Sequence, residues 1–383
     1  MSGPLEGVRV LELAGIGPCP FGAMVLADLG ADVLRVERAS AVASELPEGV
    51  SWDLLQRNKR SIGVDLKNPD GVALVLGLAE RADALVEGFR PGVVERLGVG
   101  PEACRAVNPR LVYGRMTGWG QDGPLASRAG HDIDYIALAG VLGAIGRAGE
   151  RPVPPLNLVG DFGGGGLLLA LGVVSGVLAA RTTGQGQVVD AAMVDGAALL
   201  TTMIWSFRTL GMWQDVRGTN LLDTGAPYYE VYECADGGHV AVGALEPEFY
   251  LALLEVMELD PEDLPRQGDR PQWPATKERF AEVFRRRTRD EWVALADGRD
   301  ACLAPVLSMS EVAEHPHNRA RSTFVDPGGV LQPAPAPRFA GTPAPAPGPP
   351  VWPGERGAEA LVDWGMDQGL MSTLAAAGVL EVR

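Results

Sequence analysis

The sequence predicts an α/β fold: a parallel sheet covered by helices on both faces, followed by a smaller unit that opens on a hairpin. Three observations predict it. Short apolar strands alternate with helices through the first third of the chain. The pattern then turns mainly helical from residue 156 to about 212. Finally, two strand-like runs flank a Cys-Ala-Asp-Gly-Gly turn.

Taken in order, residues 8–13 read as a buried strand, 20–29 as a helix with Gly30 at its end, and 32–37 as a second strand. Residues 62–66, 84–87 and 111–116 read as further strands, with helices around 71–81 and 101–107 between them. A helical run over 135–145 precedes the helix that starts at Leu167. The hairpin pairs 228–233 with 239–243, and helices follow near 246–257 and 277–296. Residues 333–353 form a Pro/Ala tract, expected to return across the surface in extended form. The expected domains are therefore 1–200, completed by 326–383, then a linker helix over 201–224 and a small domain over 225–325.

Length and composition narrow the function classes. At 383 residues with 46% hydrophobic and 21% charged residues, the chain can bury a substantial core. A net charge of −16 argues against nucleic acid as a partner, because that needs a basic face to displace counterions. The four cysteines form no CxxC pair, so neither a disulfide framework nor a zinc site is expected, and a cytoplasmic location fits. The opening Met-Ser-Gly-Pro-Leu-Glu has no leader pattern, and the closing Leu-Glu-Val-Arg is no peroxisomal address. No membrane partner is expected, since the most apolar stretch, 167–180, is short and rich in glycine and alanine.

Ala-Gly-Ile-Gly-Pro-Cys-Pro after the first strand, with Glu37 ending the second, superficially matches a dinucleotide fingerprint. The third glycine would fall on Pro20, and Pro18 lacks an N–H donor. A tight turn with proline in the first helical turn is the better reading.

Among four histidines, His239 sits at a hairpin corner, and His315 and His317 flank Pro316 without cysteines nearby. His131 follows a glycine just before an apolar helical run. Helix starts expose unpaired N–H groups that suit an anion or a developing enolate oxygen, although the residue could equally cap or pack. Asp161 precedes four glycines and a long helix, so close backbone approach to a ligand competes with simple N-capping. Burial there would raise its proton affinity into a range useful for acid/base work. Glu246 could cap or begin the next helix.

Together these segments resemble the family III CoA-transferase superfamily, and within it the bacterial-type α-methylacyl-CoA racemases. The likeness spans nearly the whole chain. It runs through Phe-Arg-Pro-Gly-Val at Phe89, Thr-Gly-Trp-Gly at Thr117, Gly-His-Asp-Ile-Asp-Tyr from Gly130 to Tyr135, residues 152–165 and Gly-Ala-Leu-Glu-Pro around Glu246. Asp134 stands where similar racemases often carry asparagine. The resemblance implies a Rossmann-like large domain and a smaller α+β domain in an interlocked homodimer. It also implies an acyl-CoA substrate, His131 and Asp161 as paired acid and base, and Glu246 orienting the histidine.

Inverting a carbon next to a thioester needs one group on each face of a planar enolate, one starting deprotonated and the other protonated. The enolate oxygen needs preorganised donors, for which the N–H groups beginning at Asp132 are expected. Gly130 and Tyr135 complete that block. No metal or redox cofactor is required, coenzyme A being part of the substrate. For its phosphates the expected cations are Arg38, Arg90 and the run Arg57, Lys59 and Arg60, the last three competing with a solvated charged face. Met193, Met203 and Met212 are expected to form an adaptable acyl surface, or else core or dimer packing. The alternative activity is a CoA-transferase with Asp161 as nucleophile. Such enzymes usually carry a glycine-rich loop near Glu246, and residues 241–246 contain only Gly243.

Overall fold

A computed structural model describes residues 3–45 and 53–383. Met1 and Ser2, which open the segment read above for a leader, and residues 46–52 lie outside it. The chain divides into two units: Met1–Ala139 with Leu156–Leu200 and Arg319–Arg383, and Gly140–Pro155 with Thr201–Asn318.

In the larger unit, strands β1 (Arg9–Leu13), β2 (Asp32–Arg38), β3 (Arg60–Val64), β4 (Ala84–Glu87), β5 (Val112–Thr117) and β6 (Val188–Ala192) pair in parallel. Their order is 3-2-1-4-5-6, the doubly wound arrangement, and an antiparallel strand at Leu380–Glu381 adds an edge beside β3. Helices α1 (Pro18–Asp28), α2 (Pro69–Ala79), α3 (Pro101–Val107), α4 (Asp132–Leu138), α5 (Leu167–Thr183) and α6 (Met193–Leu200) pack with it, as do two closing helices over Gly357–Asp363 and Gln368–Ala376.

Alternation along each strand feeds two cores. Leu11, Leu13, Leu34 and Ile62 face α2, α3 and the closing helices, whereas Val10, Val33, Ala84 and Val112 face α1 and α5. Each fully buried aliphatic side chain contributes about 1.5–3 kcal/mol by leaving water. The turn after β1 carries Gly17 at φ 68°, and α1 starts on Pro18, as the proline-led turn predicts.

Charge also enters this core. Glu12 of β1 lies directly opposite Arg35 of β2 and is fully buried. Its carboxylate pairs with the Arg35 guanidinium and with Lys59 Nζ at 2.8 Å. Lys59 also donates to the Pro20 carbonyl at 3.0 Å, and Arg35 to the Gly15 carbonyl at 3.2 Å and to Glu37 at 2.6 Å. Burial pushes the Glu12 carboxyl up, and Lys59 and Arg35 outweigh it and hold it below its ordinary value.

The smaller unit holds β7 (Tyr229–Glu233), β8 (His239–Gly243) and β9 (Leu303–Pro305) in one antiparallel sheet, with α7 (Thr202–Thr209), α8 (Pro247–Val256), α9 (Trp273–Phe284) and α10 (Arg289–Ala296). Residues 140–155 belong to it through Arg147, which pairs with Glu230 at 2.7 Å, and through Gly143, whose carbonyl accepts from Arg217. Residues 201–224 group with it as well rather than standing as a linker: Arg270 donates to Met212, and Lys277 to Thr224. The return to the larger unit comes at 319 rather than 326.

Other differences have local causes. The expected 277–296 helix is two, because Thr288 and Glu291 cap the start of α10. Strand β6 falls inside the stretch read as helical, since five residues, Val-Val-Asp-Ala-Ala, are too few to show a distinguishing period. The apolar helix is also longer than the sequence suggested. Leu158–Thr183 is continuous over 26 residues, long and apolar enough to cross a bilayer, because the glycines after Asp161 stay helical. Its inner side packs on the sheet, with Leu169 and Val173 in the core.

Glu12→Ala would leave Lys59 and Arg35 without their shared carboxylate, at an expected cost of about 3–5 kcal/mol. Denaturant unfolding should show a clearly lowered midpoint, and an unchanged midpoint would mean that the cluster does not stabilise the fold.

Candidate active site

Strand order reverses between β1 and β4, and ligands in doubly wound sheets bind outside the carboxyl ends of strands at such a switch. A cleft of about 310 Å³ lies there. Its walls are Ile16–Cys19 after β1, Gly88–Pro91 after β4, Thr117–Trp119 after β5 and Met193 after β6, closed by 128–131, Tyr135 and Asp161.

Asp161 does not N-cap its helix. It lies inside a wide π-helical turn, Leu158–Gly166, that runs directly into α5. Such turns are rare and often mark functional sites. The glycines around it admit neighbouring backbone rather than a ligand. A Cβ on Gly164 would meet the Ala197 nitrogen at 2.6 Å, and one on Gly166 the Pro18 carbonyl at 2.6 Å. From the other side, a Cβ on Gly196 would fall 1.8 Å from the Gly164 carbonyl. The turn is thus clamped between α1 and α6. The Asp161 carboxylate accepts from Asn157 Nδ2 at 3.0 Å, and its backbone N–H donates to Asp132 Oδ1 at 2.7 Å. Burial raises the carboxyl above its ordinary value, the Asn157 amide opposes this, Asp132 adds to it and His131 subtracts.

His131 is the exposed N-cap of α4, with extended backbone (φ −132°), and its own N–H donates to Asp134 at 3.0 Å. Asp134 therefore serves the helix start. Tyr135 donates to the Gly130 carbonyl and stands edge-on to Trp119, centroids 4.7 Å apart. Burial, then Asp161, pushes its hydroxyl up to about 12. Its ring fills a socket made by two glycines. A Cβ on Gly118 would come within 2.0 Å of it, and one on Gly130 within 2.8 Å.

The cleft therefore gathers Arg90, Gly130, His131, Tyr135, Asp161 and Met193, with the Asp132 carboxylate behind Asp161. It does not gather the other expected cations. Arg38 is exposed at the end of β2, off the cleft walls. Arg57 is buried against Asp28 and Gln332, and Lys59 against Glu12. Arg60 pairs with Asp32 and Asp363. These three form neither a phosphate site nor a solvated face, because each charge is spent on an internal carboxylate.

Met203 and Met212 lie in the smaller unit, 52% and 47% exposed, and Glu246 is the exposed N-cap of α8 there. Two useful residues escaped the sequence reading. Arg128 adds a second guanidinium to the wall, and a basic residue three before His131 was the available signal. Asn157, four residues before Asp161, is one helical turn away and so within reach of it. Among the described residues no group of three His, Cys, Asp or Glu side chains is placed to hold a metal.

Glu87, at the end of β4, braces the wall that carries Arg90. It accepts the Phe89 N–H at 2.7 Å and pairs with Arg115 at 3.1 Å. Burial pushes its carboxyl up to about 7, against the opposing pull of the Phe89 N–H and Arg115.

Residues 5–355 match the family model for CoA-transferase family III. The chain is 48% identical over 341 residues to the mouse alpha-methylacyl-CoA racemase, covering 89% of this chain and 87% of that one. It is 47% identical over 343 residues to the human protein of the same name, with the same coverage. The crystal structure of a CaiB/BaiF family protein from Brucella suis superimposes with a TM-score of 0.81 over 95% of this chain and 100% of that one. At 24% identity that likeness bears on the fold alone.

Because the Glu87 carboxyl is raised in the fold, the folded protein holds a proton there that the unfolded chain releases near pH 4.5. Its stability contribution is present at low pH and is lost as pH rises from about 4.5 to about 7. Glu87→Gln should flatten the fall in unfolding free energy across that window, and an unchanged slope would count against this assignment.

Proposed function

The chain belongs to CoA-transferase family III, and from that premise we propose that its cleft interconverts (2R)- and (2S)-2-methylacyl-CoA thioesters by moving one proton through an enolate. The enzyme is an isomerase of the α-methylacyl-CoA racemase kind. The observation that carries the mechanism is that His131 and Asp161 line one cleft, with Asp161 held at raised proton affinity. Neutral His131 takes the α-proton from one enantiomer while protonated Asp161 delivers to the opposite face. The other enantiomer uses Asp161 as base and imidazolium His131 as donor.

The Asp132 N–H, at the start of α4, is the donor for the enolate oxygen. Arg90 and Arg128 meet the anionic coenzyme A portion, and Met193 and Ile16 offer apolar surface to the acyl chain. The chemistry asks for no metal or redox cofactor, and coenzyme A arrives as part of the substrate. Four unpaired cysteines suit a cytoplasmic setting.

A homodimer is part of this reading. Leu167, Leu171 and Leu178 project from α5 at 47%, 60% and 68% exposure, an apolar row that a second copy would cover. In an interlocked pair, Glu246 of the partner subunit orients His131. Leu171→Asp should convert dimer to monomer in analytical ultracentrifugation, and an unchanged mass would remove α5 from the interface.

The reaction is tested with a single 2-methylacyl-CoA enantiomer in D₂O without an acceptor acid. Deuterium should enter at C2 as optical purity is lost. His131→Ala and Asp161→Ala should each slow this by about 10²–10⁴-fold. Absence of exchange, with CoA passing to an added free acid, would make Asp161 a nucleophile and the protein a transferase.

A further inference from the structure

Asp132 follows His131 in the chain, yet its side chain turns inward and is 6% exposed. One oxygen, Oδ1, accepts the Asp161 N–H at 2.7 Å. The other, Oδ2, is buried with no hydrogen-bond partner among the described residues. A buried carboxylate oxygen without a donor is costly, so its retention calls for a reason.

The surroundings are shaped to admit it. A Cβ on Gly160 would lie 2.5 Å from Oδ1, so any other residue at 160 would displace the carboxylate or the turn. The bond it makes is also one the wide turn needs. The first N–H groups of a helix lack internal partners, and a carboxylate at that end is favoured by the helix dipole. Asp132 therefore caps the helix that carries Asp161 from outside.

We propose that the Asp132 side chain is a positioning residue for Asp161: Oδ1 fixes the Asp161 backbone, and the uncompensated charge keeps a proton on the Asp161 carboxyl. A donor must carry its proton near the working pH, and a neighbouring like charge is a direct means to that end. From α4, Asp161 faces His131, whose positive form works against the effect, and Asp132 and Tyr135. From its own turn it faces the uncharged Asn157 amide. Cys19 and Arg90 share the cleft from the walls after β1 and β4. Among these only Asp132 adds a negative charge beside Asp161 while burial removes water. The catalytic use of the held proton rests on the racemase reading; the electrostatic coupling does not.

The test is an infrared titration of the free enzyme labelled with ¹³C-aspartate, the Asp161 band being assigned by its loss in Asp161→Asn. Asp132→Asn keeps an oxygen for the Asp161 N–H and removes the charge. The Asp161 midpoint should fall by about one pH unit. The acidic limb of kcat/KM for α-proton exchange should move the same way. Asp132→Ser, equally neutral, carries the same expectation should the asparagine variant fail to fold. An Asp161 midpoint that stays in place in the neutral variant would overturn the proposal. A shifted midpoint in a protein whose unaltered form exchanges no α-proton would uphold the coupling and discard the racemase reading instead.

Discussion

The Glu12 carboxylate is the constraint on which the rest of the large unit depends. It is fully buried, and it is tolerable there only because Arg35 and Lys59 balance it. The same two cations reach past it to the carbonyls of Gly15 and Pro20, which bracket the turn between β1 and α1. One charge-balanced cluster thus registers three strands and fixes the first wall of the cleft. Ordinary apolar packing could fill that volume, but it could not anchor two carbonyls at a turn.

Around that wall, the geometry of Asp161 is set by an absence of side chains. Gly164 and Gly166 let backbones of α1 and α6 press directly against the turn holding Asp161. The Asp161 carboxyl is therefore aimed by main-chain contacts on two sides, with Asn157 and Asp132 holding its side chain and its backbone. Rigid main chain is a more accurate mount than a loop, which suits a reaction in which two groups must meet opposite faces of one carbon.

Much of this was legible in the sequence for identifiable reasons. Strand–helix alternation carried the sheet, with β4 and α3 placed to the residue, and Gly-His-Asp followed by an apolar run marked the start of α4. The failures are of one kind. Arg57, Lys59 and Arg60 read as a phosphate-binding run or else a solvated face, and only tertiary structure supplies Asp28, Glu12 and Asp32 from distant segments to neutralise them. The glycines after Asp161 read as room for a ligand to approach the backbone, or as the lead-in to an N-cap, because a residue without a side chain does not declare whether a ligand or another helix will come close. Asp132 was noted for its backbone N–H, whereas the inward turn of its carboxylate depends on Gly160, twenty-eight residues further along.

The glycine socket around Tyr135 has a consequence for how such an enzyme can diversify. With Gly118 and Gly130 both pressed against the ring, that side of the cleft has no slack in either direction. A larger residue evicts the tyrosine, and a smaller ring leaves Trp119 unsupported. Room to vary lies instead at Ile16, which lines the same cleft and stands 87% exposed. Substitution at either glycine is thus felt through the tyrosine ring rather than through any group of the glycine's own.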